Sequence, residues 1–412
     1  MRTKSLQLTG RTLALGAFAA AMAIAGTASA DTCPAFAKTV VIVGSSAVSS
    51  FMTPLGNALA NHVDENSDPD PINVLYQSPG SCTGATFVVS PASPGTTTGD
   101  VTYYTGSASA TCTLAGATKV DIGISDVFAA SCGFDSLPSK VKEFRGPVQS
   151  MAFAVSSASQ TRTMSAEAAY LALGVGDTTS GFPFPDLNKI WVRDQASGTQ
   201  QMIAHAINVP ANAFISAHST NAAGIITGLQ ASSSLDPADT DATFGILGMD
   251  AIRGNTANDV VPLAYQHYGQ ECGFWPSTTQ ATAPFDMQNT RDGHYFIQGP
   301  IHMFTKVNNA GDPSNENAKI LIDYLTGAAD PDFDLIALEA AKSIVPDCAM
   351  HVMRDEEAGP FMSYQPPRSC DCKWLDAVGA TPLPEECTTC DNDDDCDSAG
   401  RPKCNYGFCE VQ

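Results

Sequence analysis

The sequence predicts a large α/β protein followed by a small disulfide-rich tail. Three features of the 412-residue chain favour this fold class. Runs rich in β-branched residues alternate with helical stretches, hydrophobic residues make up 43% of the chain, and seven of the 13 cysteines lie in the last 43 residues. The hydrophobic content is ample for a large core, and the alternation of strand and helix is typical of largely parallel sheets.

Three strands are predicted in the first part of this alternation. Residues 39–43 (TVVIV) form a β-branched run, and a helical stretch follows over residues 49–63. Residues 73–76 and 119–124 predict two further strands. Between these two strands, residues 90–118 are rich in Ser, Thr, Gly and Ala, so we expect an exposed hairpin excursion there.

The alternation continues in the second part of the chain. Residues 151–155 predict a strand, and residues 165–173 predict a helix that begins with a serine cap. Residues 189–192 predict another strand, and a helix over residues 198–207 follows it. Together these elements predict an α/β fold with largely parallel sheets.

The first thirty residues have the three parts of a cleaved secretory signal. Arg2, Lys4 and Arg11 form a basic start, residues 13–25 are apolar, and residues 27–30 (TASA) are small. The apolar run is too short to span a bilayer comfortably. We therefore expect residues 1–30 to be a signal peptide and the protein to be exported to the periplasm or the cell surface. Cleavage would remove three positive charges and change the formal net charge from −22 to −25.

The acidity of the chain excludes two classes of partner. Nucleic-acid binding needs clustered Lys and Arg to displace counterions, and adhesion to an anionic membrane needs a basic surface. The chain has 21 Lys and Arg against 43 Asp and Glu. We expect no nucleic-acid partner.

The cysteines divide the chain into a body and a tail. Six are scattered between Cys33 and Cys348, and seven lie between Cys370 and Cys409. We expect a body at residues 31–363 and a Cys-rich module at 370–412, whose short chain needs crosslinks because it cannot form a large core. An exported chain favours disulfides over free thiols, and the odd number leaves one cysteine unpaired.

Small polar residues follow four of the predicted strands. They are Gly44-Ser45-Ser46-Ala47, Gly80-Ser81-Cys82-Thr83-Gly84, Ser125-Asp126 and the segment from Arg193 to Thr199. In open α/β sheets, ligands bind beyond the carboxyl ends of the strands, and a helix that begins there offers free N–H groups to an anion. The guanidinium of Arg193 matches a tetrahedral oxyanion.

Taken in this order, the loops resemble those of the phosphate-binding proteins of ABC transporters, which have the two-lobed type 2 periplasmic binding fold. Residues 192–199 (VRDQASGT) are similar to the family's Arg-x-x-x-Ser-Gly-Thr ahead of a helix. Residues 120–126 (VDIGISD), 76–81 (YQSPGS) and 43–47 (VGSSA) resemble three further motifs of the family. The resemblance extends from about residue 40 to about residue 325.

The resemblance implies a ligand site made by both lobes. Ser197, Gly198 and Thr199 would present N–H groups and hydroxyls to the ligand, and Arg193 would pair with its charge. Ser46 and Ser81 would add hydroxyls from the other lobe, where Ala47 replaces the usual threonine. Asp126 would act as an unpaired acceptor that requires a proton on the ligand, which favours monohydrogen phosphate or arsenate over sulfate.

The resemblance also implies how the chain is divided between the lobes. One lobe would comprise residues 31–150 and 300–360, and the other residues 156–295. The chain would cross between them near residues 151–155 and 296–305. We expect Cys82 to tie the second loop, with Cys112 in the hairpin excursion as a candidate partner. The excursion is a candidate lid over the cleft, and service to a different ligand is the alternative.

No sequence motif indicates a metal, a cofactor or an enzyme. The seven histidines lack the spacing of metal sites such as H-E-x-x-H, and no Gly-x-Ser-x-Gly element of a serine hydrolase occurs. The acidic residues 391–395 lack the central Gly and terminal Glu of an EF-hand loop, so we expect a solvated loop.

The sequence therefore predicts an exported solute-binding protein for phosphate or a similar oxyanion, and not an enzyme. Its partners would be an ABC permease or a cell-surface molecule bound through the tail. Two alternatives remain open at this point. The first is an extracellular structural or adhesion protein that keeps the fold without the ligand, and the second is an exported phosphoester hydrolase.

Overall fold

The computed structural model describes residues 31–411 except 65, 177–183, 185, 256, 281–284 and 397–399. The predicted signal peptide at residues 1–30 lies outside the described residues. Among the described residues, no helix is both long and apolar enough to cross a membrane.

The strands of the described part are mostly short, apart from one that is 16 residues long. They are β1 (Thr39–Gly44), β2 (Asn73–Gln77), β3 (Thr96–Thr97), β4 (Asp100–Tyr104), β5 (Ser109–Thr113), β6 (Thr118–Lys119), β7 (Ile122–Ser125), β8 (Val141–Ser156), β9 (Thr163–Ser165), β10 (Ile190–Val192), β11 (His218–Ser219), β12 (Phe244–Gly248), β13 (Val260–Pro262), β14 (Ala264–Gln266), β15 (Gln298–Lys306), β16 (Val352–Met353), β17 (Met362–Ser363), β18 (Lys403–Asn405) and β19 (Phe408–Glu410).

The helices fill the connections between these strands. They are α1 (Ser49–Ala60), α2 (Ser81–Val89), α3 (Ala166–Tyr170), α4 (Gly198–Ile207), α5 (Ala222–Ser232), α6 (Pro237–Asp241), α7 (Met249–Gly254), α8 (Gln288–Arg291), α9 (Glu316–Leu325), α10 (Leu335–Ala340) and α11 (Asp371–Ala377). The predicted helix at 198–207 has these bounds in the structure. The predicted helix at 165–173 is α3 followed by a π-helical turn, Leu171–Val175.

The large sheet has two halves that share strand β8. In the first half, β1 pairs in parallel with β2 and β7, and β15 lies antiparallel between β7 and β8. In the second half, β10 pairs in parallel with β11 and β12, and β12 and β13 pair antiparallel with the end of β8. The predicted two-lobed α/β fold with a small disulfide-rich C-terminal tail is confirmed.

Strand β8 passes through both halves without a break. Its residues from Val141 to Ser150 pair with β15, and those from Met151 to Ser156 pair with β12 and β13. The chain also passes between the halves just before β15, where the Met151 N–H donates to the Ile297 carbonyl at 3.0 Å. Two neighbouring strands therefore connect the lobes.

Each half of the sheet carries its own apolar core. In the first lobe, α1 and α9 cover β1, β7 and β15, with side chains such as Phe51, Leu55 and Leu321 buried between them. In the second lobe, Phe153, Phe244 and their neighbours form the larger cluster. This larger cluster also includes Trp374 of the tail, which is fully buried and donates from its indole N–H to the Asp286 carbonyl at 2.9 Å. The tail is thus packed against the body.

The hairpin excursion does not cover the cleft between the lobes. Its strands β4 and β5 pair with each other, and β4 extends the first sheet by pairing with β2. Val101, Tyr104 and Cys112 are buried, because this hairpin packs on the sheet edge and on α1. The expectation of a lid is wrong for this reason.

The described cysteines form six disulfides and leave Cys272 free and exposed. The pairs are Cys33–Cys112, Cys82–Cys132, Cys348–Cys370, Cys372–Cys387, Cys390–Cys404 and Cys396–Cys409. The expected Cys82–Cys112 pair is wrong, because β5 carries Cys112 to the outer sheet edge, beside the N-terminal segment and Cys33. The cysteines also do not separate into a body set and a tail set, since Cys348 of the body pairs with Cys370.

The Cys82–Cys132 disulfide provides a test of loop crosslinking. It joins the first turn of α2 to the segment after β7 across 50 residues. We expect the Cys82→Ser/Cys132→Ser double variant to lose about 2–4 kcal/mol of unfolding free energy, because the unfolded chain gains loop entropy. Urea denaturation of the oxidised protein measures this loss. Cys272→Ser is the matched control and should stay within about 0.5 kcal/mol of the parent. Equal effects of the two changes would contradict the prediction.

Candidate functional site

The loops that follow β1, β7 and β10 meet at the boundary between the lobes, together with the start of α2. These are the carboxyl ends of parallel strands, which lie at one edge of each sheet. The first lobe contributes Ser45, Ser46, Ser81 and Asp126. The second lobe contributes the segment from Arg193 to Thr199, which leads into α4.

The centre of this site is the buried carboxylate of Asp126, which is 1% exposed. The hydroxyl of Ser45 donates to its Oδ1 and Oδ2 at 2.6 and 2.7 Å, and the hydroxyl of Ser81 donates to Oδ2 at 2.8 Å. Burial raises the pKa of Asp126, while the two hydroxyl donors and the charge of Arg193 oppose this rise. Asp126 thus has donors from its own lobe, and its role as an acceptor for a ligand stays a prediction.

The backbone at Gly44 places Ser45 over Asp126. Gly44 has φ +150°, and a Cβ there would lie 1.9 Å from the Ile124 carbonyl oxygen, so only glycine fits between β1 and β7. The next residue, Ser45, donates its N–H to that carbonyl at 2.9 Å. The Tyr76 hydroxyl donates to the Ser45 carbonyl from the neighbouring strand. This close approach of the two strands fixes the Ser45 hydroxyl at the carboxylate.

Arg193 reaches across the boundary between the lobes. It is 3% exposed, and its Nη2 donates to the hydroxyl oxygen of Ser46 at 2.7 Å. Its Nε has no hydrogen-bond partner among the described residues. Burial lowers the pKa of Arg193, while Asp194, Asp126 and Asp250 oppose this shift. The guanidinium is therefore a buried cation with donor capacity left over.

The start of α4 adds further donors beside this cation. Ser197 precedes the helix, and its hydroxyl and that of Thr199 are buried without a hydrogen-bond partner in the described structure. Gly198 lies against the first lobe, because a Cβ on it would be 2.3 Å from Asp126 Oδ2 and 2.4 Å from Ser81 Oγ. The free N–H groups and positive dipole end of α4 thus lie close to Asp126 and Arg193.

A second buried carboxylate, that of Asp250, connects the lobes beside this site. It lies in the first turn of α7 and is 3% exposed. Its Oδ2 accepts from the hydroxyl of Ser50 in the other lobe at 2.6 Å, and its Oδ1 accepts from Gln149 Nε2 at 3.1 Å. Burial raises the pKa of Asp250 to about 6. The pair Ser50–Asp250 is therefore a second direct contact between the lobes.

The structure brings together the predicted residues of both lobes. Ser46, Ser81, Asp126 and Arg193 meet there, with Ser197, Gly198 and Thr199 beside them. Ala47 contributes only its backbone, since its carbonyl accepts from Gln149 Nε2 at 3.1 Å and its side chain joins the apolar core. Whether these residues bind a ligand stays a prediction.

Sequence reasoning missed three residues of this site. Ser45 and Ser46 both follow β1, and the sequence does not show which of the two side chains faces Asp126. Asp250 follows β12 just as Asp126 follows β7, so a search for every acidic residue after a buried strand would have found it. Gln149 lies inside β8 and carries no such signal.

The three cysteines Cys390, Cys396 and Cys409 have sulfur atoms within 4.8 Å of one another. All three are in disulfides, so their sulfurs are not available as thiolate ligands. In the acidic loop that follows Cys390, Asn392 and Asp395 cap a short 3-10 helix, Asp393–Asp395, and Asp393 pairs with Lys403.

Comparison with known proteins finds no matching family model and no curated protein that matches. Solved structures with a similar fold include three bacterial proteins. One, assigned as a phosphate ABC transporter substrate-binding protein and carrying bound phosphate, is from Clostridium perfringens (TM-score 0.47, 13% identity, 75% of this chain and 99% of that chain).

The others are an ABC-type phosphate transport receptor from Vibrio cholerae (TM-score 0.44, 12% identity, 74% and 99% covered) and a phosphate binding protein from Stenotrophomonas maltophilia (TM-score 0.43, 14% identity, 75% and 91% covered). Phosphate-binding proteins, which the sequence resembles, are thus among the solved structures with a similar fold. At these values the likeness assigns no ligand to this chain.

Gly198 provides a test of the contact between the lobes. We expect Gly198→Ala to separate the lobes, because the added methyl group would overlap Asp126 and Ser81. Small-angle X-ray scattering should therefore show a larger radius of gyration. Gly254→Ala is the matched control, because a Cβ on Gly254 meets nothing within 4 Å. An unchanged radius of gyration in Gly198→Ala would contradict the prediction.

Asp250 gives a prediction for the dependence of stability on pH. Its folded pKa of about 6 lies above the ordinary value of 3.8 for an aspartate, so the folded state holds this proton more tightly than the unfolded chain. This carboxylate therefore costs stability as the pH rises from about 4 to about 6, by about 3 kcal/mol at most. Asp250→Asn should be more stable than the parent at pH 7.5 and equal to it below pH 4.

Urea denaturation at both pH values measures this difference. The asparagine can still accept from Gln149 and donate to the Ser50 hydroxyl, so the contact is retained. Asp376→Asn, which removes an exposed carboxylate of the tail, is the control. A stability difference for Asp250→Asn that is the same at both pH values would show that charge is not its cause.

Proposed function

We propose that the protein binds a small tetrahedral oxyanion, phosphate or a close analogue, between its two lobes. The observation that supports this most directly is the buried Arg193, whose Nε has no partner among the described residues, in the same segment as the likewise unpartnered hydroxyls of Ser197 and Thr199. Buried polar groups without partners are rare and call for an explanation. A small anion would satisfy all three groups at once.

The donors available to such an anion come from both lobes. The guanidinium of Arg193 and the start of α4 would approach from one side, and the Ser46 hydroxyl from the other. Each hydrogen bond to a charged oxygen contributes about 1.5–3 kcal/mol, so a few of them suffice for tight binding. The acidic surface repels polyanions, but a site made of helix N–H groups, hydroxyls and one arginine needs no basic surface.

Asp126 would set the choice between oxyanions. Two serine hydroxyls make three contacts with its oxygens, and one lone pair of Oδ1 remains for a ligand. A ligand that carries a proton, such as monohydrogen phosphate or arsenate, can donate to this lone pair. Sulfate carries no proton near neutral pH, so its oxygen would face the carboxylate without a hydrogen bond, and Asp126 would disfavour it.

Binding would involve opening and closing of the lobes. Direct contacts between the lobes, Arg193–Ser46 and Ser50–Asp250, lie at the site, and β8 and β15 join the lobes beside it. Opening about these strands would admit the anion, and closing would surround it with donors from both sides.

The compartment and the partners belong to the same proposal. Six disulfides among the described cysteines are expected in an oxidising compartment. With the signal-like start of the sequence, they support export to the periplasm or cell surface. There the protein would deliver the anion to an ABC permease, or the tail would attach it to a surface partner.

Isothermal titration of the protein lacking residues 1–30 with phosphate, arsenate and sulfate tests this function. We expect phosphate and arsenate to bind and sulfate to bind at least ten times more weakly. Arg193→Ala should weaken phosphate binding roughly 100-fold, because it removes charge-assisted bonds worth about 3 kcal/mol or more. Arg162→Ala, an exposed arginine of the same lobe, is the control.

The outcomes separate the claims. Absence of heat with all three anions would overturn the binding function. Equal affinity for sulfate and phosphate would show that Asp126 does not select the ligand, and Asp126→Asn should bring the two affinities together. Normal phosphate binding by Arg193→Ala would place the site elsewhere.

A further inference from the structure

A cavity of about 610 Å³, whose lining includes none of the residues of the site around Asp126, lies where the body meets the tail. One wall is formed by the end of α9, the loop that follows it, and α10, including Phe333, Leu335 and Glu339. The other wall belongs to the segment leading into the tail and to the tail itself, including Arg368 and Tyr406. The disulfide Cys348–Cys370 joins Cys348 of the lining to the start of the tail. The cavity is large enough for a small organic molecule.

Glu339 of α10 is the unusual group in this wall. Its side chain is 2% exposed, and its Oε2 has no hydrogen-bond partner among the described residues. Burial raises the pKa of Glu339 well above its ordinary value, and the nearby charge of Asp334 adds to this. A buried carboxyl without a partner costs stability, so its presence in a cavity wall calls for a ligand that satisfies it.

The cations around the cavity are already paired with other acids. Arg368 contacts both carboxylate oxygens of Asp330 at 2.7 and 2.6 Å, and it lies 4.0 Å over the ring of Tyr406. Lys373 pairs with Asp334 at 2.6 Å. Neither cation reaches Glu339, so the lining has an acidic group that the protein itself leaves without a counterion.

A second acid of the lining, Asp347, has only a hydroxyl partner. The Tyr364 hydroxyl donates to its carboxylate, and burial raises its pKa. The rest of the wall is largely apolar, with Phe333, Leu335 and Ile336 among its residues. The lining thus combines an apolar surface with a buried acid, Glu339, and a half-buried acid, Asp347, neither of which is paired with a cation.

We propose that this cavity binds a small organic amine, whose ammonium group pairs with the Glu339 carboxylate and whose apolar part lies against Phe333 and Ile336. The amine enters as the ammonium ion. Glu339 releases its proton to solvent as the ion pair forms, so the complex contains one carboxylate and one ammonium group. This site is independent of the oxyanion site between the lobes.

Isothermal titration of the oxidised protein, tail included, with 2-phenylethylamine at pH 7.5 tests this proposal. We expect one equivalent to bind at least ten times more tightly than 2-phenylethanol, which has the same apolar part and no charge. Titrations in two buffers with different ionisation enthalpies should show release of a proton on binding. Equal binding of amine and alcohol, no binding of the amine at millimolar concentration, or no proton release would overturn the proposal.

Three variants locate the site. Glu339→Gln should weaken amine binding at least tenfold and abolish the proton release, whereas Glu385→Gln, at an exposed position of the tail outside the lining, should leave both unchanged. Arg193→Ala should bind the amine normally, whatever its effect on phosphate, so failure of one site does not imply failure of the other. Unchanged amine binding by Glu339→Gln would contradict the proposal even if the amine binds elsewhere.

Discussion

The buried negative charge of Asp126 is the constraint on which the arrangement between the lobes depends. A carboxylate removed from water must be given donors, and here two separate loops supply them through Ser45 and Ser81. Meeting this requirement fixes the loop after β1, the start of α2 and the loop after β7 with respect to one another. The Cys82–Cys132 disulfide then joins two of these three segments covalently. The second lobe contacts these segments at Gly198, where glycine is the only residue type that fits against Asp126 and Ser81.

The same chain that excludes polyanions by its net charge of −22 holds a buried guanidinium near three carboxylates. The charge of Arg193 is opposed by Asp194, Asp126 and Asp250, so its contribution to binding an anion lies in directed hydrogen bonds rather than in net charge. Helix N–H groups and hydroxyls act in the same way, because they are dipoles held in place by the fold. Oriented dipoles can bind a small anion whatever the surface charge of the protein. The acidic composition therefore does not exclude a small anionic ligand.

Much of the fold was predictable because its signals are local. The β-branched run before Gly44 and the segment from Gly198 to Ile207 lie in regular elements at or near the predicted bounds, since periodicity and glycine positions act within a few residues. The loops that meet at Asp126 were predictable from their positions after strands. The partner of Cys82 was not, because disulfide pairing depends on where β5 packs, a contact between distant segments. Ser45 and Asp250 escaped for the same reason, as their directions are set by tertiary packing.

Strand β8 belongs to both halves of the sheet over its 16 residues. A hinge made of loops lets two lobes rotate freely, whereas a continuous strand that is hydrogen-bonded in both lobes resists bending. Rotation of one lobe must therefore twist the ladder that the same strand forms in the other lobe. The stiffness of the two paired connecting strands, and not the length of a linker, thus limits how far the lobes can open.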